Sequence, residues 1–213
     1  MNLLYSTVCA LIKIICRTLY GHRVYGLEHI CSGAAIIAPN HSSFLDPPLI
    51  AISWPKVVSF LARKTLFSSP ILGAVIKRLN AYPVSGTVQD LSSMKLICKL
   101  LKEGHQVVIF PSGVRSSDGS IGSVKSGIAM LAFRCDVPII PVYIHGTFDI
   151  WSKEQRYPHL HGLTACVIGT PIYPDHFASL KKKEGQEAMG EEVRGALEKL
   201  RAWYENGAHG APP

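Results

Sequence analysis

Residues 3–20 (LLYSTVCALIKIICRTLY) place apolar side chains around most of a helical wheel. Asn2, Ser6, Lys13 and Arg17 gather in a sector of roughly 60°. Lys13 and Arg17 lie within and after the apolar stretch, and no small-residue cleavage site follows, which argues against a secretory signal. The pattern predicts an amphipathic helix lying in a membrane interface. Its reach of about 27 Å leaves a spanning helix with a snorkelling Lys13 as an alternative. A helix docked on the protein's own core is a third reading.

Beyond a turn expected at 20–26, short β-rich runs alternate with helical ones. Strands are predicted at 34–38, 57–62, 81–84, 106–110, 139–144 and 164–168. Leu91, Met94, Ile97 or Cys98, and Leu101 recur at helical spacing ahead of Gly104, which predicts a helix over 88–103 with Lys95, Lys99 and Lys102 on its opposite face. Further helices are predicted over 123–135 and around Met189, Val193, Leu197, Leu200 and Trp203. This alternation reads as a single α/β domain over 21–205, with a partly parallel sheet flanked by helices, preceded by the N-terminal helix over 1–20. The tail 206–213 (NGAHGAPP) is expected to fray.

Composition narrows the class. The chain has 213 residues, of which 47% are hydrophobic and 17% charged, enough for one sizeable core and incompatible with disorder. Six cysteines without C-x-x-C spacing, mostly inside apolar runs, read as buried thiols in a reducing compartment. The net charge of +7 is local: residues 47–102 hold eight bases and one acid, Asp90. Such a segment is either a solvated face or an attractor of anionic partners, such as a phospholipid surface, a phosphate ligand or an acidic carrier protein. Interleaved Leu, Ile and Phe and the lack of a recognition motif argue against nucleic acid.

There is no G-x-G-x-x-G and no G-x-S-x-G. Gly122 and Gly127 have P-loop spacing, but Ile128 and Ala129 stand where Lys and Ser or Thr are required. His159 and His161 form an H-x-H pair without a third ligand at fixed spacing and read as loop histidines rather than a metal site.

Two loops carry candidate chemistry. In IIAPNHSSFLD a buried strand ends at Pro39, and Asn40 and His41 follow at its C-terminal end, where open α/β sheets place their sites. Asp46, held extended by Pro47, is suited to cap a helix. The turn between them can also return its carboxylate to the imidazole, to fix a tautomer while the free nitrogen takes a proton from an attacking hydroxyl. In VVIFPSGVRSSDG, Gly113 permits a tight backbone and Arg115 projects from a polar loop at the same end of the sheet. An arginine there can grip a phosphate, with Ser112, Ser116 and Ser117 as further donors.

Taken together, NHSSFLD at 40–46, FPSGVRS at 110–116 and VPIIPV at 137–142 resemble, in order and spacing, three blocks of the glycerolipid acyltransferase family, specifically its bacterial 1-acylglycerol-3-phosphate acyltransferases. The resemblance covers about residues 23–175. It implies acyl transfer from a thioester, on acyl carrier protein or coenzyme A, to the free hydroxyl of lysophosphatidic acid, with no metal or redox cofactor. It further implies His41 as general base, Asp46 as its orienting partner, and Arg115 with Ser112, Gly113 and Ser116 holding the acceptor phosphate. With the amphipathic helix, it implies a peripheral or monotopic protein on the cytoplasmic face of the inner membrane.

The chain departs from the family pattern at three places. Ser112 and Val114 stand where the family usually has Glu and Thr, and Ser85 and Gly86 stand where an arginine is usual. Lys77, Arg78 or Lys125 are the alternative headgroup cations.

Overall fold

The computed structural model describes residues 3–84 and 90–213. In chain order its main elements are α1 (Leu3–Tyr20), β1 (Arg23–Tyr25), β2 (Ala35–Pro39), α2 (Asp46–Ser53), β3 (Ser59–Arg63), α3 (Pro70–Arg78), β4 (Ala81–Val84) and α4 (Leu91–Lys102). Then come β5 (Gln106–Val108), α5 (Ser126–Cys135), β6 (Ile139–His145), α6 (Thr147–Trp151), β7 (Ala165–Ile168) and α7 (Lys182–Glu205). The seven strands form one sheet in the order β1-β7-β6-β2-β5-β3-β4. All neighbours are parallel except β6 and β7. The C-terminal ends of the five mutually parallel strands β6, β2, β5, β3 and β4 therefore share one edge of the molecule.

Helices cover both faces, which is why the central strands are apolar throughout rather than alternating. Along β2, Ile36 and Ala38 join a core with Ile97 and Leu100 of α4, Leu131 of α5 and Val193 and Leu197 of α7. Ala35 and Ile37 point the other way, into a core with Cys16 and Tyr20 of α1 and Leu49 and Ile50 of α2. On α4, Met94, Ile97 and Leu101 are buried as their spacing predicts, whereas Leu91, in the first turn, is exposed. Asp90 caps α4 by accepting from the Ser93 amide.

Several expectations are corrected. The turn expected over 20–26 contains β1, whose three residues pair in parallel with β7; so short a strand shows no alternation to read. A further helix, α3, fills the segment between β3 and β4. β5 ends at Val108, although Ile109 still donates to the Ile37 carbonyl. Residues 206–213, expected to fray, fold back: the Ala208 amide bonds the Trp203 carbonyl, the Trp203 indole donates to the His209 carbonyl and the Thr170 amide to the Pro213 carbonyl.

α1 docks on the protein through buried Tyr5, Cys16 and Tyr20, spaced along one face, and leaves Leu11, Ile14, Ile15 and Leu19 exposed beside Lys13 and Arg17. No helix among the described residues is long and apolar enough to cross a membrane.

Candidate active site

Asn40 closes β2. Its side-chain amide donates to the Ile144 carbonyl, and its carbonyl oxygen accepts from the Ile144 amide, so it pairs with β6 as a strand residue would. His41 follows, and Asp46 comes back beneath it: His41 Nδ1 lies 2.7 Å from Asp46 Oδ2. Asp46 is fully buried, while the His41 side chain keeps 17% of its exposure. The expected helix does start here, with Pro47 and Pro48 in its first turn, but Leu45 is the cap residue and the Asp46 side chain does not cap it. Asp46 Oδ2 instead accepts the amides of Ser42 and Ser43 at 2.7 and 2.8 Å, and Oδ1 accepts the Thr147 hydroxyl at 2.6 Å. A buried carboxylate so satisfied is a rigid partner for an imidazole. With Nδ1 held, Nε2 is the nitrogen left to exchange a proton.

The ring is fixed on its flat side too. Phe110 stacks on His41 with centroids 3.8 Å apart and planes at 22°. Phe110 leads into the second loop, and the Ser116 amide donates to the His41 carbonyl at 2.8 Å, joining the two loops. Gly113 has φ 71° and stands against the Lys125 ammonium, 3.0 Å from where a β-carbon would lie. A side chain there would be strained by the backbone and would collide with that cation.

Arg115 lies over the Phe44 ring, its guanidinium carbon 3.7 Å from the centroid. Phe44 in turn rests against Trp151 at 5.1 Å. Nη1 of Arg115 is buried without a hydrogen-bond partner among the described residues. A buried guanidinium donor without an acceptor is costly, so it favours an anionic oxygen brought by a ligand. The structure thus brings His41, Asp46, Gly113 and Arg115 to one end of the sheet.

Other expected donors are differently employed. The Ser112 hydroxyl donates to the Val114 carbonyl and that of Ser116 to Asp118, so both protons are spent within the loop. The hydroxyl of Ser120, then that of Ser116, holds the Asp118 carboxyl well below the usual carboxylate range. Of the alternative headgroup cations, Lys77 and Arg78 end α3, just ahead of β4, and so stand at the opposite edge of the sheet. Only Lys125 is at the site. Ser85 and Gly86 lie outside the described residues.

Sequence reasoning missed the support supplied by residues 144–152. Gly146, at φ 77°, is pressed so close to Leu163 that a β-carbon would meet its carbonyl oxygen at 1.9 Å. It turns the chain into α6, which begins with Thr147. Beyond Thr147, the Trp151 carbonyl accepts from the Ser43 hydroxyl and the Phe44 amide, tying down the turn between His41 and Asp46. A Gly-Thr step directly after a buried strand was the available signal.

A family model described as Acyltransferase matches residues 21–145. The 1-acyl-sn-glycerol-3-phosphate acyltransferase of Bacillus subtilis is 30% identical over 92% of this chain and 96% of its own length. A chloroplastic 1-acyl-sn-glycerol-3-phosphate acyltransferase of Arabidopsis thaliana is 30% identical over 72% of this chain and 44% of its own length. The crystal structure of the 1-acyl-sn-glycerophosphate (LPA) acyltransferase PlsC from Thermotoga maritima superposes with a TM-score of 0.74 at 27% identity, covering 93% of this chain and 81% of that one. The sheet, the buried histidine–carboxylate pair and these matches lead to one conclusion: the chain belongs to the acyltransferase family.

Proposed function

We propose that the protein transfers a fatty acyl group from a thioester, carried on acyl carrier protein or coenzyme A, to the sn-2 hydroxyl of lysophosphatidic acid, giving phosphatidic acid. The observation that carries this reading is the His41–Asp46 pair beside a buried, unpaired arginine donor. The names of the relatives supply the acceptor.

In this reading His41 Nε2 takes the proton of the acceptor hydroxyl as its oxygen attacks the thioester carbonyl. Asp46 stabilises the imidazolium that forms, without itself taking the proton. The tetrahedral intermediate collapses to the ester as the carbon–sulfur bond breaks, and the imidazolium returns its proton to the leaving thiolate. Arg115 binds the acceptor phosphate from its perch on Phe44, and Lys125 adds charge from across the Gly113 turn. The reaction needs no metal or redox cofactor, because the proton transfer and the charge are handled by side chains.

Both substrates partition into bilayers. The reading therefore places the exposed apolar face of α1 in the interface of the inner membrane on its cytoplasmic side, with Lys13 and Arg17 at headgroup level. The experiment is acceptor exchange: acyl thioester with lysophosphatidic acid, glycerol 3-phosphate or an amine-bearing lysolipid in mixed micelles. Phosphatidic acid as the main product is expected. Preference for another acceptor overturns the substrate assignment, and release of free fatty acid without any acceptor points to a thioesterase.

A further inference from the structure

Cys98 on α4 and Cys135 at the end of α5 are 37 residues apart in sequence, yet their sulfurs lie 3.1 Å from each other, with Cys135 donating to Cys98. Both are free and partly exposed. They share an open groove with Met94, Lys95, Lys99, Lys102 and Arg134. Among the described residues no other two cysteine sulfurs hydrogen-bond. The sequence reads all six cysteines alike as buried thiols; in the fold only Cys16 and Cys166 are buried, and of the half-buried four Cys98 and Cys135 meet.

From this pairing we propose that Cys98 and Cys135 form an oxidation-sensitive dithiol, which reacts with hydrogen peroxide and closes to a disulfide stapling α4 to α5. A disulfide spans about 2.05 Å, so the sulfurs need to approach by only about 1 Å. Lys95, Lys99, Lys102 and Arg134 line the groove in which the two sulfurs meet. Burial first, then the contact with Cys98, pushes the Cys135 thiol up to about 12, which keeps its proton in place until the second step.

The chemistry balances. The Cys98 thiolate attacks a peroxide oxygen, the O–O bond breaks, and the departing hydroxide becomes water with the proton Cys98 had given up. The resulting sulfenic acid is attacked by the Cys135 sulfur. The S–S bond forms, the S–O bond breaks, and the hydroxide leaves with the Cys135 proton as a second water. Two thiols are oxidised by two electrons and one peroxide is reduced to two waters.

The test is hydrogen peroxide titration of the full chain, read by free-thiol count and by peptide mass mapping without reductant. Free thiols should fall by two, from six to four, and recover on reduction, with one linked peptide joining residues 98 and 135. Cys135→Ser should accumulate a sulfenic acid at Cys98 that a dimedone probe traps, and Cys98→Ser should form no link. An unchanged thiol count, over-oxidation of Cys98 without a link, or a link to another cysteine each overturns the proposal. Acyl transfer by reduced Cys98→Ser is a separate readout and should match the wild type, so loss of the link and loss of the catalytic reading are distinguished.

Discussion

Thr147 reaches Asp46 across 101 residues of sequence, donating its hydroxyl to Oδ1 at 2.6 Å while His41 occupies Oδ2 at 2.7 Å. The Asp46 carboxylate is thereby shared between two connections of the sheet: the turn after β2 that presents His41, and the short helix after β6 that presents Thr147. Each oxygen has its own partner, and neither can rotate without breaking a buried hydrogen bond.

Thr147→Val keeps the shape and removes the donor. We expect a loss of about 1–3 kcal/mol in unfolding free energy, the cost of leaving a buried acceptor unpaired, and a fall in kcat with little change in KM. Thr147→Ser should restore both. Denaturant unfolding and steady-state kinetics on the three proteins check this; unchanged kcat in Thr147→Val means that Asp46 is positioned adequately without it.

Arg115→Lys retains the charge but not the planar fork that lies on Phe44. The KM for the phosphorylated acceptor should rise by about tenfold, equivalent to about 1.4 kcal/mol, while the KM for the thioester stays put. Titrating each substrate separately tests the assignment, and equal effects on both remove Arg115 from the acceptor site.

Leu11→Glu with Ile14→Glu charges the exposed face of α1 and leaves the docking residues Tyr5, Cys16 and Tyr20 intact. At about 1.5–3 kcal/mol for each buried apolar side chain, partitioning onto anionic vesicles should drop by at least about a hundredfold. Turnover of short, water-soluble substrates should persist. Vesicle co-sedimentation of the double variant at the wild-type level contradicts membrane docking through this face.

His22 makes stability depend on pH. Its ring is buried between the Thr164 and Ser53 hydroxyls. Burial, then Arg17 and Lys13, lower its pKa from 6.5 to about 4. The unfolded chain therefore binds the proton first as pH falls. Stability present above about pH 6.5 is lost progressively down to about pH 4, by up to about 3 kcal/mol. Denaturant midpoints measured across that window should decline in the wild type and decline less in His22→Gln.

The central strands were legible because buried parallel strands are written as continuous apolar runs, as in Ala35–Pro39 and Ile139–His145. His41 and Asp46 were legible as a pair because a tight turn joins them within one segment. Thr147 was not, since its partner is distant in sequence and a buried strand explains its neighbourhood without any site. Ser112 and Ser116 could be identified as polar loop residues, but not that Val114 and Asp118 take their hydroxyl protons. Lys77 and Arg78 were candidates by charge alone. Their exclusion required knowing that α3 carries them to the far edge of the sheet, and a nine-residue segment opened by Pro70 and interrupted by Gly73 does not announce that helix.

The proposed reaction depends on His41 as the base for acyl transfer. The most direct measurement compares wild type and His41→Ala with labelled lysophosphatidic acid and an acyl thioester in mixed micelles, after both are shown to unfold at similar denaturant concentration. Wild type should yield phosphatidic acid and free thiol together, and the variant should be slower by at least about 10²–10⁴. Phosphatidic acid formed at the wild-type rate by His41→Ala removes His41 from the mechanism.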